Sequence, residues 1–231
     1  MSTSGGKQRY TVKQRWSDAL AANPRVESTR PIGWGQAIAV MAVLVGVLWA
    51  IEIVNVLMDY RLNRFGLEPR TAGGLWGIVT MPFLHASAYQ LLAITGPFVL
   101  IGWVVLLGGW RSFALISLIC IVVGGGLAWV IGPSNTEVGV SALVFGWLGY
   151  IVARALFSRR ITWILSAIVV LILFGSMFFS LIPEATSAGI GRVSWEAHLA
   201  GVIAGLLAGW LLHPRKATKA AFRFGRTPPA P

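Results

Sequence analysis

Charge is scarce in this chain. Only 12% of its residues are charged and 56% are hydrophobic, whereas soluble domains average about 25% charged and about 45–50% apolar. This balance excludes an ordinary soluble domain and points to an integral membrane protein. Acids are scarcer still, with 8 Asp and Glu against 19 Lys and Arg. The net charge of +11 is not read as a nucleic-acid footprint. The basic residues collect in the two tails and between apolar runs, where membrane topology places them. The single cysteine, Cys120, excludes a disulfide framework within one chain. Nothing in the sequence has metal-ligand spacing, so no metal and no cofactor is expected. No short apolar core follows the first basic residues closely enough for a cleavable secretory signal. No internal repeat of the kind many transporters carry is evident.

What is present is a series of six apolar runs, at about 36–58, 88–108, 112–132, 141–158, 161–182 and 194–213. Each is close to the ~20 residues that cross a ~30 Å hydrocarbon core as a helix. Helices are required, because backbone polar groups in lipid must be satisfied within the segment. The expected fold is therefore an all-α integral membrane protein with six transmembrane helices. Three parts are expected: a basic cytoplasmic tail (1–35), the transmembrane domain (36–213) and a basic, Pro-containing tail (214–231). Counting alternate sides puts 15 Lys and Arg with the tails and 4 opposite, so both termini are expected in the cytoplasm. With no targeting segment ahead of the first run, a bacterial plasma membrane is the expected location. Several of the 11 Trp flank the runs, as an interfacial belt requires.

The segment 59–87 is too long for a simple turn. Its mix of apolar and polar residues, including Trp76, Pro82, Phe83 and Leu84, suggests a piece lying in the outer interface and partly inserted. Glu52 is an ionisable group in the first run, hydrogen-bonded to a neighbour or reaching water if not functional. Gly124, Gly125 and Gly126 permit close helix contact or a bend in the third run.

The residues that carry chemistry are Ser141 and His198. Ser141 lies 18 residues before Arg159, and His198 lies 17 before Arg215, roughly 27 and 26 Å along their helices. Two even-numbered spans run in one direction, so both side chains reach nearly one level. Gly201, Gly205 and Gly209 recur at every fourth position, which gives a smooth face for close helix approach. His198 lies on that face. Gly139, Gly201 and Gly205 are expected to serve helix packing, with Gly146, Gly149 and Ala153 opposite. A serine hydroxyl needs an adjacent base to become a nucleophile, and histidine is suited to that role. Ser141 opens a helix, where free N–H groups can hold an oxyanion. Glu196 is two residues from His198 and faces elsewhere, so the expected constellation is a dyad. His213, about 22 Å further along the helix, cannot share the site.

These features resemble the rhomboid family of intramembrane serine proteases. The resemblance covers residues from about 36 to 213: six runs, a long first loop, Gly139-Val140-Ser141, and His198-x-x-Gly201-x-x-x-Gly205. It implies that Ser141 is the nucleophile and His198 the general base. It also implies that Phe145 packs against that histidine. The implied substrates are single-span membrane proteins, entering near the second and fifth spans and cleaved within the lipid bilayer without metal or cofactor.

The chain departs from the family pattern at several positions. Phe83-Leu84-His85 matches a loop element after which many rhomboids place a histidine and an asparagine for the oxyanion. Here Gln90 and Ile94 stand at those positions. Gln90 keeps a donor and is the expected auxiliary residue. Ile94 has none, and losing one such donor costs on the order of 10²–10³ in rate. Ala142 replaces the usual glycine and is expected to tighten the turn. Gly77 replaces the arginine that commonly follows a tryptophan like Trp76. His85 is expected to hydrogen-bond within the first loop. The favoured function is an intramembrane serine endopeptidase. A rhomboid-like binder of transmembrane helices that does not cut them is the alternative, and a small transporter or channel is a third reading.

Overall fold

A computed structural model describes residues 32–158, 160–182 and 194–212. Residues 1–31 of the first expected tail, the whole of the second, Arg159, Arg192, His213 and Arg215 lie outside the described residues. Helices dominate, and the extended structure among these residues is one antiparallel bridge between Leu67 and Glu137.

Six apolar helices form the frame. They are α1 (Trp34–Leu57), α2 (Ala88–Leu106), α3 (Trp110–Ile131), α4 (Ser141–Ser158), α5 (Ile161–Phe174) and α6 (Trp195–Leu211). Four of them, α1 to α4, are long and apolar enough to cross a membrane. The other two expected spans are shorter as α-helices, with 14 residues in α5 and 17 in α6. The reason in α5 is a change of winding. The chain continues as a 3₁₀ helix over Gly175–Leu181, which rises about 2.0 Å per residue against about 1.5 Å in an α-helix. This tighter winding carries the chain further per residue at the end that meets the site.

The apolar residues are not segregated to one face, as expected for helices solvated by lipid. Helix α4 is the exception in burial: every residue from Ala142 to Ile151 is buried. It stands at the centre of the bundle, and its closest neighbour is α6. A side-chain carbon at Gly201 would strike the carbonyl of Ala142, and one at Gly205 would strike that of Gly146. The every-fourth-residue glycine face is therefore a backbone-to-backbone contact.

Helix α3 contains a π turn at Cys120–Gly124. Gly124 faces Gly201 and Ala204, and Gly125 faces Ile78. Both glycines serve close contact, whereas nothing approaches Gly126 within 4 Å.

The first loop is a series of short turns, with 3₁₀ pieces at Arg61–Phe65, Gly73–Trp76 and Met81–Phe83 and one α turn at Gly77–Thr80. It is amphipathic. Leu67, Met81 and Leu84 are buried, while Leu75, Trp76 and Val79 are exposed. A side chain at Gly77 would strike the Leu67 backbone, which leaves no room for an arginine there. Arg70 instead reaches the end of α3, donating to the Gly132 carbonyl and, at 3.0 Å, to Ser134 Oγ.

Candidate active site

Ser141 is the first residue of α4, and His198 lies in the first turn of α6. Ser194 caps that turn, its hydroxyl accepting from Ala197 N at 3.1 Å. The glycine contact between α4 and α6 brings the two side chains together. Ser141 Oγ lies 2.9 Å from His198 Nε2, although 57 positions separate them in sequence. Phe145, one turn along α4, is fully buried and stacks on the imidazole with centroids 4.3 Å apart and planes inclined by 27°. A cavity of about 80 Å³ opens beside the pair, bordered by Gln90, Glu137, Gly139, Ser141, Ser194 and His198 among others.

The segment before Ser141 is held from the first loop. Leu67 and Glu137 exchange both backbone hydrogen bonds, at 2.9 and 2.8 Å. Gly139 N donates to the Met81 carbonyl at 3.0 Å. His85 bonds both within its own loop, as expected, and across to the segment before Ser141. Its Nε2 accepts from Val140 N at 3.4 Å, while its carbonyl accepts from Asn55 and Asn63 side chains at 3.3 and 3.0 Å. Burial pushes the His85 imidazole down to about 4, so the ring is neutral and its Nε2 is free to accept.

Several expected residues have other surroundings than the sequence suggested. Gly139 is not part of the α4–α6 packing. It lies in the loop with φ of +136°, and a Cβ there would stand 3.0 Å from Gln90 Nε2. The residue is glycine because of its backbone conformation, whereas Gly201 and Gly205 do pack helices. Ala142 is the second residue of α4 and wholly helical, so it tightens no turn. Gln90 borders the cavity with part of its amide engaged. Its Oε1 accepts from Ala86 N at 2.7 Å and its Nε2 donates to the Val138 carbonyl at 3.3 Å, leaving one amide hydrogen. Ile94 is buried in the apolar core. Glu52 is also buried, on the inner face of α1 with Asn55.

Two residues escaped the sequence reading. Ser180 Oγ, on the 3₁₀ extension of α5, lies 2.9 Å from the other ring nitrogen of His198, Nδ1. Its position in the fifth run, near the same end as His198 in the sixth, was the available signal. Glu137 is 5% exposed. Burial raises its carboxyl, Ser194 offsets part of this and Glu196 adds to it, bringing it to about 7. An acid in a short polar loop carries no sequence mark of such burial.

A helical membrane bundle with a serine–histidine pair at the ends of two tightly packed helices defines a narrow class. Residues 72–215 match the Rhomboid domain, and the chain belongs to the rhomboid family. It is similar to uncharacterized proteins of Mycobacterium tuberculosis and Mycobacterium bovis. Each is 31% identical over 209 residues, covering 87% of this chain and 86% of the relative. An uncharacterized protein of Mycobacterium leprae is 29% identical over 232 residues, covering 97% and 90%.

Proposed function

We propose that the protein is an intramembrane serine endopeptidase, with six spans and both termini in the cytoplasm of a bacterial cell. It cleaves transmembrane segments of single-span membrane proteins. The observation that carries this reading is the 2.9 Å separation of Ser141 Oγ and His198 Nε2 beside a cavity.

In the proposed cycle, Ser141 Oγ attacks the substrate carbonyl carbon while its proton passes to His198 Nε2. The first two N–H groups of α4, from Ser141 and Ala142, have no intrahelical partner. With the remaining amide hydrogen of Gln90 they hold the oxyanion. Collapse of the intermediate breaks the C–N bond, and the leaving amine takes the proton from His198. A water molecule then gives its proton to His198 and attacks the acyl carbon, regenerating Ser141 and releasing a carboxylic acid. Phe145 restrains the imidazole by stacking on it.

A second reading is favoured by Ile94 and Gln90. One family donor position is occupied by a buried aliphatic side chain, and Gln90 is partly engaged with Ala86 and Val138. A non-cleaving binder of transmembrane helices needs no oxyanion donors. Labelling of the purified full chain by a fluorescent fluorophosphonate separates the two. Labelling that disappears in Ser141→Ala and in His198→Ala supports the peptidase. Folded protein that never labels, even as Ile94→Asn, supports the binder.

A further inference from the structure

His198 has two ring nitrogens, and the proposed cycle uses one. The other, Nδ1, faces Ser180 Oγ at 2.9 Å. Ser180 Oγ also lies 2.6 Å from the carbonyl of Met177. This second contact decides the direction of the first. A carbonyl only accepts, so the hydroxyl proton of Ser180 is committed to Met177, and towards His198 the same oxygen accepts. Nδ1 therefore carries the proton, and Nε2 presents its lone pair to Ser141.

We propose that Ser180 is a positioning residue for the catalytic base. It holds the imidazole as the Nδ1–H tautomer and fixes the ring between Ser141 and the outer end of α5. The relay runs one way: Ser141 O–H to Nε2, Nδ1–H to Ser180 Oγ, and Ser180 O–H to the Met177 carbonyl. When Ser141 gives up its proton, Nε2 gains it and the ring becomes an imidazolium with both nitrogens protonated. Ser180 takes no proton at any stage. It accepts the same hydrogen bond throughout, and that bond strengthens when its donor is charged. The role is that of an orienting group behind a histidine base, filled here by a neutral hydroxyl. Among the described residues no carboxylate is bonded to Nδ1, and Glu196 Oε2 accepts instead from Ser194 Oγ at 3.1 Å.

The arrangement also makes the 3₁₀ winding of Gly175–Leu181 part of the site. In such a helix residues three apart lie one above the other. The Ser180 hydroxyl can thus reach the Met177 carbonyl while its lone pairs face α6. Phe179, next to Ser180, is exposed.

The kinetic part of this inference rests on the peptidase reading, but the tautomer does not. The experiment uses full-length protein in detergent, labelled with ¹⁵N-histidine, with His198→Gln assigning the ring signals. Two-bond ¹⁵N–¹H correlation spectra distinguish the neutral tautomers. His198 is expected as the Nδ1–H form in wild type. The population is expected to shift towards the other tautomer in Ser180→Ala and to return in Ser180→Thr. Fluorophosphonate labelling of Ser141 is expected to slow about 3- to 10-fold in Ser180→Ala, the share of one hydrogen bond, and to recover in Ser180→Thr. An Nε2–H tautomer in folded wild type overturns the proposal. So does a Ser180→Ala spectrum identical to wild type. The expected tautomer shift in a protein that never labels supports Ser180 as the orienting residue and counts against the peptidase reading.

Discussion

Gly205 of α6 rests directly on the carbonyl of Gly146 in α4, with no room for a side-chain carbon between them. This backbone contact sets the distance between the helices that carry Ser141 and His198. Gly205→Ala is therefore expected to push α6 outward. Overpacking of this kind costs roughly 1–3 kcal/mol. Thermal unfolding in detergent should show the loss, and serine labelling should fall with it. Gly126→Ala, in open space, is the control and should leave both unchanged.

Gly139 has φ of +136°, a conformation that costs a residue with a Cβ on the order of 1–3 kcal/mol. Its added carbon would also crowd Gln90 Nε2 at 3.0 Å. Gly139→Ala should reduce the labelling rate more than tenfold while lowering the melting temperature less than Gly205→Ala does. Loss of folding equal to that of Gly205→Ala would assign Gly139 to the frame instead.

Phe145 stacks on His198 and is fully buried. Phe145→Leu keeps an apolar side chain but removes the flat surface, worth about 0.5–1.5 kcal/mol beyond burial. A several-fold slower labelling is expected, with the ring signals of His198 broadened. Unchanged labelling would reduce Phe145 to a space-filling residue.

Glu137 and His85 give opposing pH dependences. The folded chain binds the Glu137 proton more tightly than the unfolded chain, about 7 against 4.5. Stability from this group is lost as pH rises through that window, on the order of 3 kcal/mol in all. His85 behaves in the opposite sense, about 4 against 6.5. Its contribution is lost as pH falls through that range. The two slopes nearly cancel where they overlap. Glu137→Gln should uncover the His85 limb, with a melting temperature that climbs to about pH 6.5 and then stays level. Above pH 7 the variant should outlast wild type. A wild-type and variant pair with parallel pH profiles would show that the Glu137 carboxyl is solvated.

The parts of this site that periodicity governs were legible in the sequence. Gly201, Gly205 and Gly209 share a helix face with His198 because of the helical repeat. The matched depths of Ser141 and His198 follow from rise per residue, whereas the place of Phe145 against the histidine was implied by the resemblance to the rhomboid family. The parts that depend on how loops fold back were not. His85 and Val140 are 55 positions apart, and nothing periodic links them. Gly139 looks like any small residue before a helix, and only its dihedral angle separates a turn role from a packing role. Ser180 meets His198 because the end of α5 winds as a 3₁₀ helix, which the apolar run around it does not encode by composition.

The π turn at Cys120–Gly124 amounts to one residue more than an α-helix would hold there. An α-helix advances about 100° per residue, so that extra residue sets the rotational phase of everything after it. Gly124 faces α6 and Gly125 faces the first loop because the phase has been moved by this amount. The chain is therefore expected to tolerate removal of one residue within 120–123 better than removal of one from the middle of α4. In α4 no slack exists, and a deletion would turn Ser141 about 100° away from its histidine.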